Sequence, residues 1–357
     1  MTSPKIQINI SKGISKMRKY LLPRNGKFYK ANMHTHTTIS DGKLSPEEIK
    51  ESYKEKGYSI VAYTDHEVII PHNDLRDEDF LPITSFELSI CEPWNVYAKC
   101  YHMNVYFRDP DTGASKTFSD LYGVGHSREH ITEKMRELSA GKRNYSKEYA
   151  QWIIDTAKSE GALVSLNHPV WSLQTHEDYS GLRGIWGIEW FNTSAVILGY
   201  HDTYQPIRDL LAEGEKKVFP LATDDCHSKI DRFGGWLSVK APKLDYDAVF
   251  TALEKGDFYS STGPEIKSLY IEDGIITVKT SSAAIIHLFT GQRLAMRVME
   301  EGKLVREAKF DLAKIFEKWE EAPEDKHTWL AIRVTDKFGK VAITRAYFKK
   351  ELISKRK

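Results

Sequence analysis

The stretch ANMHTHTTISDGKLSPEE, residues 31–48, sets His34 and His36 two apart and follows them with Asp41 in a tight Ser-Asp-Gly turn. Side chains two apart in an extended segment leave the chain on the same face, so both imidazoles can reach one ion. An ordinary strand can carry the same pair, and the rest of the chain has to decide. Immediately downstream is a helix start. Ser45 can cap it, Pro46 suits the first position, Glu48 completes a capping box and Gly57 follows its end. The stretch thus reads as strand, polar loop and helix, the opening unit of an α/β repeat.

Outward from there the repeat continues. Short apolar runs predict strands over residues 29–34, 59–63, 80–86, 102–107, 163–166, 185–191 and 218–222. Helical patterns are expected over residues 147–159 (Tyr149, Trp152, Ile153 and Thr156 on one side), 205–213 and 247–255. Alternation of this kind favours a parallel α/β barrel or an open α/β sheet. Residues 109–145 interrupt it with a polar insertion carrying His126, Arg128 and His130, readable as a substrate lid or as a solvated loop. After residue 262 the texture becomes β-rich, with hairpins expected through Asp273-Gly274 and through Lys337 to Lys340. The expected organisation is an N-terminal segment (1–27), an α/β unit (28–262) and a small sandwich-like β domain (263–357).

The side chains able to bind metal gather at the ends of these runs. His34, His36 and Asp41 follow the first strand, His66 follows the second within Thr64-Asp65-His66, and Glu87 follows the third. His168 comes after Leu163–Leu166, and Asp225-Cys226-His227 after the Val218 run. Carboxyl ends of strands are where α/β barrels build their sites. His102 is the exception, because it begins its strand.

The motifs HTHTTISDG, YTDHE, NHP and DDCH, in this order and spacing, resemble those of the PHP (polymerase and histidinol phosphatase) superfamily over about residues 28–262. The resemblance implies a distorted, TIM-like (β/α)7 barrel holding two or three divalent ions, whether zinc, manganese or iron. Its ligands here would be His34, His36, Asp41, His66, Glu87, His102, His168, Asp225 and His227. It assigns His34, His36, Glu87 and Asp225 to one ion, Glu87, His102 and His168 to a second, and Asp41, His66 and His227 to a third. For the sixth ligand, His126 or His130 competes with His102. GDFYSSTGPEI and the β-rich tail are similar to the carbaryl-hydrolase-like branch.

The implied activity is that of a metal-dependent phosphoesterase acting on a small phosphate ester through a metal-bridging hydroxide. The alternatives are hydrolysis of a carbamate, carboxylic ester or amide, or a non-catalytic scaffold. Asp65 and Asp224, each beside a ligand, are candidates for orienting histidines or moving protons. Arg232, Arg128 and Lys229 are candidates for binding an anionic substrate, and Trp171 and Trp236 for walling a pocket. With 51 basic and 50 acidic residues, the net charge of +1 gives no footprint for nucleic acid or a membrane surface. No apolar run is long enough to span a bilayer, and the lysine-bearing start lacks the continuous apolar core of a leader. Three cysteines without Cys-x-x-Cys spacing suggest reduced thiols and a cytoplasmic protein, with Cys226 a buried structural thiol.

Overall fold

The computed structural model describes residues 18–353 apart from 96, 202, 321 and 323–325, so residues 1–17 of the lysine-bearing start lie outside it. Seven strands lie side by side in chain order: Lys27–Asn32, Tyr58–Tyr63, Leu81–Cys91, Cys100–Tyr106, Leu163–Leu166, Gly187–Asn192 and Phe219–Thr223. The first three run parallel, Cys100–Tyr106 is antiparallel to both its neighbours, and the last three are again parallel. Continuous burial over residues 81–88 and along Phe219–Thr223 explains why these runs read as apolar.

Helices Pro46–Glu55, Lys147–Ser159, Gln205–Glu213 and Tyr246–Lys255 form at the expected places. Ser45 and Glu48 close the capping box, and Gly214 and Gly256 end the last two helices in left-handed conformation. One helical face differs from expectation. Lys147–Ser159 buries Ala150, Ile153, Ile154 and Ala157, leaving Trp152 exposed. The alanines supply close approach to the sheet, and apolar size alone pointed to the aromatic side.

The expected closed barrel is corrected to an open mixed sheet. The free edge of Lys27–Asn32 is taken by the antiparallel strand Trp236–Ala241, so Phe219–Thr223 forms no ladder with it. First and last strands meet only beyond their carboxyl ends, through one parallel bridge between Thr35 and Cys226. There the His36 N–H donates to the Cys226 carbonyl and the Asp225 N–H to the His34 carbonyl, both at 2.9 Å.

Past Trp236–Ala241 the same sheet continues antiparallel through Phe258–Ser261, Val341–Thr344, Trp329–Thr335, Ile285–Thr290 and Ala295–Val298. A second sheet combines Lys19–Tyr20, Ile266–Glu272, Ile275–Ala283 and Val305–Asp311. The two share an apolar cluster including Ile276, Val278, Ile286, Leu288, Ile332 and Trp319. The Asp273-Gly274 hairpin forms as read, both residues having positive φ (48° and 78°), as a type I′ turn requires.

The 109–145 insertion is packed, not solvated throughout. Phe118, Ile131 and Met135 enter the main core, while His126, Arg128 and His130 stay exposed. Among the described residues no helix is long and apolar enough to cross a membrane.

The reading of all cysteines as reduced is also corrected. Cys91 and Cys100 are directly opposed across two antiparallel strands, with Cα atoms 4.1 Å apart, and form a disulfide. Sequence spacing does not reveal such pairing, because a hairpin had to place them opposite each other. Cys226 is a free, fully buried thiol.

Candidate metal centre

All nine proposed ligands converge on one end of the sheet. His102 belongs there because its strand runs against its neighbours, which puts the start of that strand beside their carboxyl ends. Local structure holds the His34–His36 segment in place. The Asn32 amide donates to the His34 carbonyl (3.0 Å) and to Thr35 Oγ1 (2.6 Å), while its oxygen accepts from the Asp224 N–H (3.0 Å). Two of the ligands sit on left-handed backbone, His168 at φ 26° and Asp225 at φ 54°. Such conformations cost roughly 1–3 kcal/mol each and persist where surrounding contacts enforce them.

At the centre, four ligand atoms face one another. His34 Nε2 lies 3.3 Å from Glu87 Oε2 and 3.2 Å from Asp225 Oδ1. His36 Nε2 lies 3.2 and 3.1 Å from the same two oxygens, and 3.1 Å from His34 Nε2. Five of the six separations among these atoms are thus 3.1–3.3 Å, and a tetrahedron of that edge would have its centre about 2.0 Å from each corner, the length of a zinc–nitrogen or zinc–oxygen bond. Asp225 Oδ1, His36 Nδ1 and His66 Nδ1 are buried without a hydrogen-bond partner. Buried polar atoms are rarely left so, and an ion would satisfy them. The residues therefore fit a divalent metal.

Two further groups adjoin this one. Asp41, His66 and His227 gather with His36: Asp41 Oδ1 is 3.7 Å from His227 Nε2 and Asp41 Oδ2 is 3.8 Å from His66 Nε2. Glu87 turns its other oxygen, Oε1, toward His102 Nδ1 (3.2 Å) and His168 Nε2 (3.5 Å). His66 also comes within 3.3 Å of Glu87, so this carboxylate touches every group. His126 instead pairs with Glu129 at the surface, and exposed His130 joins none of the ligand groups among the described residues.

Glu189 is the residue the sequence reading missed. Its carboxylate is buried in Gly187–Asn192, 2.8 Å from His34 Nδ1, which leaves Nε2 facing the cluster. It also accepts from the His168 N–H (3.0 Å), the Asn192 amide (2.9 Å) and the Thr223 hydroxyl (2.7 Å). A glutamate inside an otherwise apolar strand (GIEWFN) was the available signal. Such partners fix the ring orientation and basicity of a ligand. Glu189→Gln is expected to weaken metal affinity by about 10- to 100-fold, as chelator competition would measure.

Neither aspartate candidate touches a histidine through a hydrogen bond. Asp65 accepts from the Thr37 N–H and hydroxyl and from Ser40, which ties the Ser-Asp-Gly turn together. Asp224 accepts from Tyr53, Thr193 and the N–H groups of Phe233, Gly234 and Gly235. Burial pushes its carboxyl up. Both brace the loops that carry ligands.

Without metal, the cluster shares protons. Burial opposes charging of His36, yet the carboxylates of Asp225 and Glu87 outweigh it and raise the ring to about 10. His34 is raised in the same way by Asp225, Glu87 and Glu189. Burial together with the neighbouring His36 charge holds His66 down at about 3. Glu87 and Asp225 are buried, which would raise them, but the surrounding histidines pull both well below the usual carboxylate range. A metal must displace the proton His36 holds below pH 10. Affinity is therefore expected to rise about tenfold per pH unit per displaced proton between pH 6 and 8, readable by metal titration at several pH values.

The groups border a cavity of about 310 Å³, lined by Asp41, His66, Glu87, His102, His168, Asp225 and His227, with Trp171, Ser194, Ala195 and Leu198. Arg232 lies over the Phe233 ring and donates to the Lys229 carbonyl. Arg232, Arg128 and Lys229 are not among the lining residues. Trp171 is at the cavity, edge-on to His102 and His168, whereas Trp236 packs over Lys30.

No family model and no curated protein matches the chain. Among solved structures it is similar to a two-domain protein from Bacteroides vulgatus containing a predicted PHP-like metal-dependent phosphoesterase. The identity is 13%, the TM-score 0.42, and the match covers 94% of this chain and 100% of that one. A putative metal-dependent phosphoesterase from Bifidobacterium adolescentis matches at 15% identity and TM-score 0.39, covering 65% and 96%. An amidohydrolase from Chromobacterium violaceum, with bound sulfate and no metal, matches at 12% and 0.37, covering 64% and 96%. Likeness at this level assigns no family, and the reading of the site rests on its own residues.

Proposed function

We propose that the protein is a metal-dependent hydrolase and that its substrate is a small phosphate ester. The convergence of buried ligand atoms from His34, His36, Glu87 and Asp225 carries this reading. These four would hold one ion, Asp41, His66 and His227 another, and Glu87 with His102 and His168 a third. Bound divalent ions would supply Lewis-acid polarisation and lower the pKa of water toward about 7. A histidine-rich set with three carboxylates suits zinc, manganese or iron. Two dications would balance Asp41, Glu87, Asp225 and the buried Glu189, and a third would leave the site positive, which would attract an anionic group.

The chain's own part is orientation. Glu189 keeps His34 and the His168 backbone in place, and Asp65 keeps the Asp41 turn closed. One observation favours a second reading. No lysine or arginine lines the cavity among the described residues, as suits a neutral carbamate, carboxylic ester or amide. The test is hydrolysis by protein reconstituted with manganese or zinc, against phosphomonoesters, carbamates, aryl acetates and amides. Turnover of the phosphomonoesters is expected. Turnover of the acyl compounds alone would replace the first reading by the second, and no turnover of any would favour a binding scaffold.

A further inference from the structure

The cavity beside the ligand cluster has two unlike walls. One is the metal-capable group just described. The other is Trp171, Ala195 and Leu198, with the half-buried Ser194 between them. Trp171 leaves 37% of its surface exposed and Leu198 63%. Single exposed apolar residues are ordinary, but these border the same space as the ligands. Trp171 and Ala195 also line an adjoining narrow crevice, where Val170 and Val196 lie among polar residues including Glu189, Asn192 and Thr203.

Chain geometry explains the pairing. Trp171 comes three residues after His168, in the turn leaving Leu163–Leu166. Ser194 and Ala195 lie in the short helix Thr193–Ile197, directly after the strand that carries Glu189. Each apolar group is thus carried by a loop that a strand of the cluster feeds.

We infer that this wall is a subsite for an apolar substituent, alkyl or aryl, of a substrate whose polar group faces the ligand cluster. The inference rests on the hydrolase reading for the polar end only. With no lysine or arginine lining the cavity among the described residues, discrimination among substrates falls to the fit of the apolar part against Trp171 and Leu198. Burying one face of a ring on this wall is expected to tighten binding roughly tenfold.

Two matched pairs test this by calorimetry on the metal-loaded full chain: phenylphosphonate against methylphosphonate, and phenyl acetate against methyl acetate. The ring-bearing member of each pair is expected to bind about tenfold tighter or better. Leu198→Ser and Trp171→Ala should each shrink that ratio, with Leu198→Ser leaving metal content unchanged. Equal binding within both pairs, or a ratio that survives both substitutions, overturns the subsite. A ring preference confined to the acetates, with neither phosphonate bound, supports the subsite and overturns the phosphoester reading. Failure of all four to bind overturns both.

Discussion

Asp225→Ala is expected to remove metal and activity together, with kcat/KM falling by at least about a hundredfold. One Asp225 oxygen faces His34 and His36 and lies 3.5 Å from His227 Nδ1, while the other approaches His168 Nε2 at 3.6 Å, so the residue touches all three ligand groups. Its loss leaves three ligand atoms at the central point and removes one of the two carboxylates there. Elemental analysis of the purified variant should show fewer ions per chain than the parent, for which the proposed function expects two or three. Folding should survive, because the backbone bridge from the Asp225 N–H to the His34 carbonyl does not need the side chain. Asp225→Asn separates charge from shape: it keeps an oxygen in place, so it should retain more metal than the alanine variant while still losing most turnover. Full activity in either variant would end the assignment of the cluster as the active centre.

Much of this centre was legible because its residues obey local rules. His34, His36 and Asp41 share one short segment, and the later ligands other than His102 come at or after the end of a plain apolar run. Helix starts were legible for the same reason, since Ser45, Pro46 and Glu48 act within a single turn. What stayed hidden depends on pairing between distant segments. The antiparallel course of Cys100–Tyr106, which brings His102 into the site, has no signature in its own residues. Cys91 and Cys100 became partners only once that ladder formed. The open sheet follows from Trp236–Ala241 occupying an edge that a closed barrel would need. Glu189 is instructive in a different way. A buried carboxylate without a partner would be costly, so its place inside GIEWFN already implied one, though only the fold shows that it is His34.

Arg143→Met is expected to cost about 3–5 kcal/mol of stability, the largest effect foreseen away from the metal ligands. Arg143 ends the 109–145 insertion and is buried against Glu67, the residue after His66. Its Nη2 donates to Glu67 Oε2 at 2.8 Å and to the Thr117 carbonyl at 3.0 Å, and its Nη1 reaches Glu67 Oε1 and the Ser89 carbonyl. Burial drives the Glu67 carboxyl above its ordinary value even against this pull from the guanidinium. The pair therefore matters less as a source of net stability than as two charges that cannot be separated. Removing Arg143 alone strands a buried carboxylate, whereas adding Glu67→Gln removes the charge and keeps an acceptor for the Ser89 N–H. The double variant should recover at least about 2 kcal/mol of the loss in urea titrations. The sign with pH is also fixed. A carboxyl whose folded pKa exceeds its unfolded value takes up a proton on folding, so stability falls as pH rises above about 4.3. Arg143→Met, which lets that pKa climb further, should therefore be less destabilised at pH 5 than at pH 8. An equal loss at both values would mean that Glu67 stays ionised without its partner, with water reaching it through a loosened insertion.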